Sequence, residues 1–142
     1  MILRKLTTQK DYFQAMKIRT LTFIKEQNVD SEIEIDDIDE WCEHYGVFIN
    51  EQMVATCRIF PADTIKSMHI GRIAVLKDYR NQHIGSFLMQ EIEKVIKASG
   101  KNRIELGAQL QALPFYEKNG YHRYGECFVE ADIMHTMMEK FL

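Results

Sequence analysis

Apolar positions change period several times along this chain, and each change marks an element. Ile2-Leu3-Arg4-Lys5-Leu6 is short and apolar enough to read as a strand. Phe13, Met16, Thr20, Phe23 and Ile24 then recur at helical spacing, behind a Thr8 and Asp11 placed as in a capping box. A helix is expected there to about Glu26. The segment 28–40 carries Asp30, Glu32, Glu34, Asp36, Asp37, Asp39 and Glu40 interleaved with Val29, Ile33, Ile35 and Ile38, too apolar for a disordered acidic tail. Most of these acids are expected on a solvated helix face, with a few left to line a site for a cationic substrate.

Tyr45–Asn50 and Met53–Phe60 flank Asn50-Glu51-Gln52 as the two strands of a hairpin. A further strand, about His69–Val75, follows a loop with Pro61. Residues 84–99 return to helical spacing with Phe87, Leu88, Ile92, Val95 and Ile96 on one face, and Gly100 stands as a stop. Ile104–Ala108 reads as a strand, and Ala112–Asn119 as a short helix with Pro114 in its first turn and Gly120 at its end. Two strands, near Tyr121–Val129 and Ile133–Phe141, finish the chain. The order βα(α)βββαβαββ predicts an α/β fold, a mixed sheet with helices on both faces, in one domain spanning 1–142.

Composition narrows the function classes. The 142 residues are 46% hydrophobic and 27% charged, enough for one ordinary core. A net charge of −3 without a basic run argues against a nucleic-acid partner. Arg4 and Lys5 interrupt the start where a signal peptide needs an apolar core, and no stretch reaches the length of a membrane span, so a cytoplasmic protein away from membranes is expected. Cys42, Cys57 and Cys127 are odd in number and lack a C-x-x-C pair, which reads as reduced thiols filling the core. His44, His69, His83, His122 and His135 have no paired ligand spacing, so no metal is expected. A cysteine nucleophile is equally unsupported, since Cys57 has no neighbouring His.

The chemistry concentrates in Ile70–Gly85, a strand, a polar loop and the first turn of an amphipathic helix. Free N–H groups and the positive end of the helix dipole favour an anion there by roughly 0.3–2 kcal/mol, and Arg80 adds a full charge. The alternative is a plain strand-to-helix connection with Gly85 fitted for packing. No G-K-[ST] and no G-x-G-x-x-G accompanies the loop, which sets aside the common nucleotide sites.

Arg80-Asn81-Gln82-His83-Ile84-Gly85 resembles the pyrophosphate loop [Q/R]-x-x-G-x-[G/A] of the GNAT superfamily of acyl-CoA-dependent N-acyltransferases, with His83 in place of the first Gly. Ala112-Leu-Pro-Phe-Tyr-Glu-Lys-Asn-Gly-Tyr121 resembles the second signature of that family, A-x-x-F-Y-x-x-x-G-F. Glu26-Gln27, Ile35-Asp36-Asp37, Ala55-Thr56-Cys57-Arg58, Ala108-Gln109 and Ile133-Met134-His135 resemble a bacterial subgroup of uncharacterised GNAT proteins. The resemblance covers essentially the whole chain.

The resemblance implies a GNAT fold, acetyl-CoA as donor co-substrate and an amine acceptor, either a small molecule or a protein amine. It implies that residues 80–85 and Phe115 hold the coenzyme, and that backbone groups of Ile73, Ala74 and Val75 face its pantetheine and thioester. Tyr116 becomes the acid at the leaving sulfur. For the general base, His135, Glu34, Asp36 and Glu26 are all candidates, and His135 has the suitable intrinsic pKa. Arg58, Arg72 and Gln109 are acceptor-side candidates, the two arginines as a fork for an acceptor carboxylate. Against this, they could simply neutralise the acids of residues 30–40. At His83 the loop is expected still to present its N–H groups, with the imidazole directed outward or donating to a phosphate oxygen. The competing function is a coenzyme A-binding sensor without turnover, and both monomer and homodimer remain open.

Overall fold

The computed structural model describes residues 1–142. Its order is β1 (Ile2–Lys5), α1 (Gln9–Arg19) continuing as a π-helical stretch (Thr20–Glu26), α2 (Ser31–Glu34), a 3₁₀ turn (Asp37–Glu40), β2 (Glu43–Ile49), β3 (Gln52–Pro61), β4 (Ser67–Val75), α3 (Ile84–Ala98), β5 (Arg103–Gln109), α4 (Leu113–Lys118), β6 (His122–Glu130) and β7 (Ile133–Phe141). This is the order read from the sequence. Two hairpin turns are set by pairs of left-handed residues, Asn50 with Glu51 and Ala131 with Asp132, whose twist suits adjacent antiparallel strands. Gly100 and Gly120 also take positive φ, where the helices before them stop.

The seven strands form one sheet in the order β1-β2-β3-β4-β5-β7-β6. On one face α3 buries Ile84, Leu88, Met89, Ile92 and Ile96 against Val47, Ile59, Ile70, Leu106 and Met138. On the other, Ala15 and Ile18 of α1 pack on Phe48, Met53 and Ala74. Both faces are therefore covered by helices, as a mixed sheet needs, but only α3 does so with an apolar stripe; α1 buries Ala15 and Ile18 beside Asp11 and Arg19, and Phe13 of its expected stripe is exposed.

All strand pairs are antiparallel except β4 and β5, which pair only from Ser67 with Arg103 to His69 with Glu105. Beyond that point β4 keeps β3 alone and β5 keeps β7 alone, so the two strands part. A bulge deepens the effect: β3 pairs Arg58 with Gly71 but Thr56 with Ala74, and Arg72 between them takes φ +49°. The extra residue shifts side-chain parity. Ile70 and Ile73 consequently both face the α3 core, while Ala74 joins the α1 core.

The start of α1 keeps half of the expected box. Thr8 Oγ accepts from the Asp11 amide at 3.2 Å, but the Asp11 carboxylate turns to Arg4. The helix does run to Glu26, as read, with its last part π-helical.

The acidic segment departs from its reading in part: Asp30, Glu32, Asp37 and Glu40 are exposed as expected, but on a short helix and a 3₁₀ turn, and two of the acids are not solvated. Glu34 and Asp39 are buried, 2% and 6% exposed, because Arg19 on α1 is itself 1% exposed and needs both. Arg19 Nε donates to Glu34 at 2.7 Å, and its two Nη atoms donate to the Asp39 oxygens at 2.7 and 3.0 Å. Arg58 Nη1 reaches Asp39 at 2.9 Å and Asp36 at 2.6 Å. The cysteines also differ from the reading: Cys57 fills the core, its thiol pushed up to about 12 by burial, but Cys42 is half-buried and Cys127 is exposed on β6. Cys127 sits beside the irregular pairing between Tyr124 and Phe128, where β6 turns its side chains outward. No helix is long and apolar enough to cross a membrane.

Burial alone would raise the Asp39 carboxyl, but hydrogen bonds and charge from Arg19, then Arg58, outweigh it and hold it at about 2, from an ordinary 3.8. A depressed folded value means stability present above the unfolded value and lost as pH falls through the folded one. Wild type should therefore lose roughly 2 kcal/mol between about pH 4 and pH 2 through this group. Urea melts across that window should show a shallower loss in Asp39→Asn, and equal slopes would remove Asp39 as the source.

Candidate active site

Where β4 and β5 part, the sheet has a gap, and a cleft of about 780 Å³ runs through it. Strand alternation decides which side chains reach it from the α1 face. Cys57 and Ile59 point to the α3 core, so Arg58 and Phe60 point the other way, and so do His69 on β4 and His135 on β7. Phe60 stacks on His69 at 4.6 Å between centroids, and across the gap Phe128 stacks on His135 at 5.6 Å. Phe23, Val29, Ile33 and Ile38, from the end of α1 and the segment after it, complete this side.

Tyr116 reaches the same cleft from the α3 face. Pro114 opens α4 without losing a helical hydrogen bond, and the ring is held edge-on between Phe115 at 5.0 Å and Tyr121 at 6.1 Å. The two buried tyrosines differ in their hydroxyls. Tyr121 donates to Glu93 at 2.8 Å, whereas the Tyr116 hydroxyl has no acceptor in the protein. Burial, then the neighbouring Cys57, pushes the Tyr116 phenol well above its ordinary range, so it stays protonated at any physiological pH.

His135 is 8% exposed, and its Nδ1 lies 2.7 Å from the Ile133 carbonyl. A carbonyl can only accept, so Nδ1 carries the proton and the lone pair is on Nε2. The other carboxylate candidates for a base are occupied. Glu34 and Asp36 face arginines, and Glu26 is bidentate to Arg80 at 2.8 and 2.8 Å. Glu34 keeps one oxygen, Oε2, without a hydrogen-bond partner, but that oxygen is fully buried, which leaves His135 as the candidate whose free lone pair an incoming amine can reach.

The arginine candidates line the cleft but are mostly engaged by the acidic segment. Both Asp36 oxygens take Arg58, at 2.6 and 3.0 Å. Arg72 donates to the Glu34 and Ile33 carbonyls at 3.1 and 3.2 Å and to Asp36 at 3.3 Å. Gln109, at the end of β5, donates to Gln27 Oε1 at 2.8 Å.

In the loop, His83 takes φ +63° and ψ 16°, the left-handed conformation a glycine adopts freely, and Asn81 does the same. His83, Asn81 and Gln82 are exposed, and the His83 ring makes no capping bond. The imidazole lies at a shallow depression with Ser86, Phe87 and Asn119, outside the main cleft. The first-turn amides of Ile84, Gly85 and Ser86 have no intrahelical acceptor, as at any helix start. A Cβ on Gly85 would lie 3.1 Å from the Phe115 ring, so this glycine lets α4 approach α3. Ile73, Ala74 and Val75 lie on the β4 stretch that no strand covers on the β5 side, and Arg80 Nε donates to the Val75 carbonyl at 2.9 Å.

Residues 10–142 match the family of the acetyltransferase (GNAT) domain. The chain belongs to that family. It is 35% identical to the uncharacterized protein YyaT of Bacillus subtilis over 99% of this chain and 95% of that one. It is 38% identical to the uncharacterized N-acetyltransferase YjcF of the same organism over 89% of each. Its fold is shared with an aminoglycoside 6'-N-acetyltransferase complexed with coenzyme A, at a TM-score of 0.80 and 18% identity, covering 99% and 97% of the two chains. As a GNAT protein it is an acyltransferase.

Within this GNAT chain, sequence reading missed Phe60, His69, Phe128 and Gln27, all of which line the cleft. Period-two alternation from Arg58 could have signalled Phe60, whereas His69 and Phe128 join the site only through cross-strand register, His69 opposite Phe60 and Phe128 opposite His135. The Glu26–Arg80 pair was also missed, because its partners are far apart in sequence. Glu26 occupies the guanidinium that the loop would offer to a phosphate, so Glu26→Gln should tighten coenzyme A binding several-fold and steepen its salt dependence. Calorimetric titration checks this, and weaker binding would mean that Glu26 instead holds Arg80 in place for the ligand.

Proposed function

We propose that this protein transfers an acetyl group from acetyl-CoA directly to a primary amine, with Tyr116 serving the departing sulfur and His135 the attacking nitrogen. The observation that carries the reading is the gap between β4 and β5, entered by Tyr116 from the α3 face and by His135 from the α1 face. Two substrates can then approach from opposite sides of the sheet and meet within it.

The uncovered β4 edge, Ile73 to Val75, suits an extended ligand with amide groups, and the 80–85 loop with Arg80 suits its phosphates. The Nε2 lone pair of His135 accepts the proton that the amine must lose. The Tyr116 hydroxyl donates to sulfur as negative charge builds there. Because burial keeps this phenol a weak acid, it acts mainly as a hydrogen-bond donor that strengthens in the transition state, with full proton release uphill while the ring stays buried. The two stacked aromatic pairs and the apolar segment over the α1 side limit water, which would otherwise compete with the amine.

Thiol release from acetyl-CoA, followed against a panel of amines, tests the reaction itself. Tyr116→Phe should lower kcat by at least about tenfold with little change in acetyl-CoA affinity, and His135→Ala by about a hundredfold. Unchanged kcat in either variant, where chemistry limits turnover, would remove that residue from the mechanism. Tight acetyl-CoA binding without thiol release for any amine would instead favour a coenzyme-binding module.

A further inference from the structure

The acceptor side of the cleft holds a particular balance of charge. Its carboxylates are Glu34, Asp36 and Glu130, and the first two are already matched. Glu34 faces Arg19, and Asp36 faces Arg58 and Arg72. Only Glu130, exposed near the tip of the β6–β7 hairpin, has no cationic partner. A polyamine or aminosugar brings several ammonium groups and would find one free carboxylate.

The arginines are less evenly matched. Arg19 and Arg58 are held above the ordinary guanidinium range by the acids against them, but burial and then the charge of Arg58 push Arg72 below it. Arg72 Nε and Nη2 donate to protein, while its Nη1 has no protein acceptor. The side chain is 22% exposed, so this nitrogen remains reachable from the cleft. The backbone beneath it is strained, at φ +49° in a residue with a long side chain, and the bulge that imposes this strain sets Arg72 at the mouth of the gap. Beside the uncharged polar groups of Gln27, Gln109 and Gln111 and the two stacked imidazoles, the remaining surface is apolar: Val29, Ile33, Ile38, Phe60, Phe128 and Met137.

Resting on the acetyl-transfer reading, we infer that the acceptor is an amino-acid-like monoamine, with one carboxylate held by Arg72 Nη1 and an apolar or aromatic body held between the Phe60–His69 and Phe128–His135 stacks. Arg58 is not a second half of the anchor, because both of its Nη atoms are committed to Asp36 and Asp39. The carboxylate contact is therefore monodentate. Glu130 supplies the single countercharge that an incoming ammonium meets before His135 takes its proton.

The test compares kcat/KM, by thiol release from acetyl-CoA, for phenylalanine, tryptophan and leucine against their decarboxylated amines and against spermidine. Each amino acid should exceed its own decarboxylated amine by at least about tenfold, the worth of one charge-assisted hydrogen bond. In Arg72→Gln that ratio should collapse toward one, and in Arg72→Lys it should fall to an intermediate value. The wild-type ratio keeps the inference falsifiable should either variant fail to fold. A wild-type ratio near one, or spermidine as the fastest acceptor, overturns the inference and leaves acetyl transfer standing. Acetyl-CoA binding with no turnover of any amine overturns both.

Discussion

One parallel pairing, cut short, organises this molecule. β4 and β5 hold each other only from Ser67 to His69 and from Arg103 to Glu105, and the sheet is otherwise antiparallel. Parting two central strands exposes backbone donors and acceptors on both edges, a cost that folded proteins seldom accept without a partner. The neighbours make it tolerable. β3 holds β4 through the bulge at Arg72, and β7 holds β5 from Arg103 to Gln109, so neither strand depends on the other beyond the apex. What remains is a slot with backbone hydrogen-bonding groups on its walls. That is a surface suited to an extended ligand with amides of its own.

The α1 side of the slot needs a cover that stays in place without a large apolar core of its own. The buried charges supply it. Arg19 from α1, Arg58 from β3 and Arg72 from β4 converge on Glu34, Asp36 and Asp39, three cations on three anions. Such a network is a weak source of net stability, since desolvation offsets much of the attraction, yet removing one member leaves its partners buried and unmatched. It therefore specifies position. Residues 31–40 are tied to helix and sheet by directional bonds, and Ile33 and Ile38 are carried over the cleft as a result.

This pattern explains what could be read in the sequence and what could not. Local signals held: the Asn50-Glu51 turn, the apolar stripe of α3, Gly100 and Gly120, and Pro114 at the start of α4 all act over a few residues and all mark their elements. The loop at 80–85 and the helix bearing Tyr116 were legible because their motifs are contiguous. The fate of the acids was not. Glu34 and Asp39 look like a solvated face until Arg19 is known to be buried opposite them, which is a tertiary fact. The bulge at Arg72 was equally hidden, since nothing in Gly71-Arg72-Ile73 announces a change of parity. His83 shows the opposite case, a departure from a motif in residue type with the glycine-like backbone retained.

The end of the first helix then acquires a meaning that its sequence alone does not carry. Its last residue, Glu26, grips Arg80, whose Nε in turn donates to Val75 on β4, while Gln27 accepts from Gln109 on β5. The helix terminus is thus braced against both walls of the slot. A π-helical stretch from Thr20 to Glu26 fits this position, because widening the helix advances fewer ångströms per residue and rotates the terminal side chains relative to an α-helical continuation. Glu26 and Gln27 are adjacent in sequence yet diverge to opposite strands. Any anion that draws Arg80 away must release Glu26, and so acts on the same segment that carries Val29 and Ile33 over the α1 side of the cleft. The 80–85 loop and the segment over the α1 side of the slot are mechanically one unit, joined through two side-chain contacts at the end of a helix.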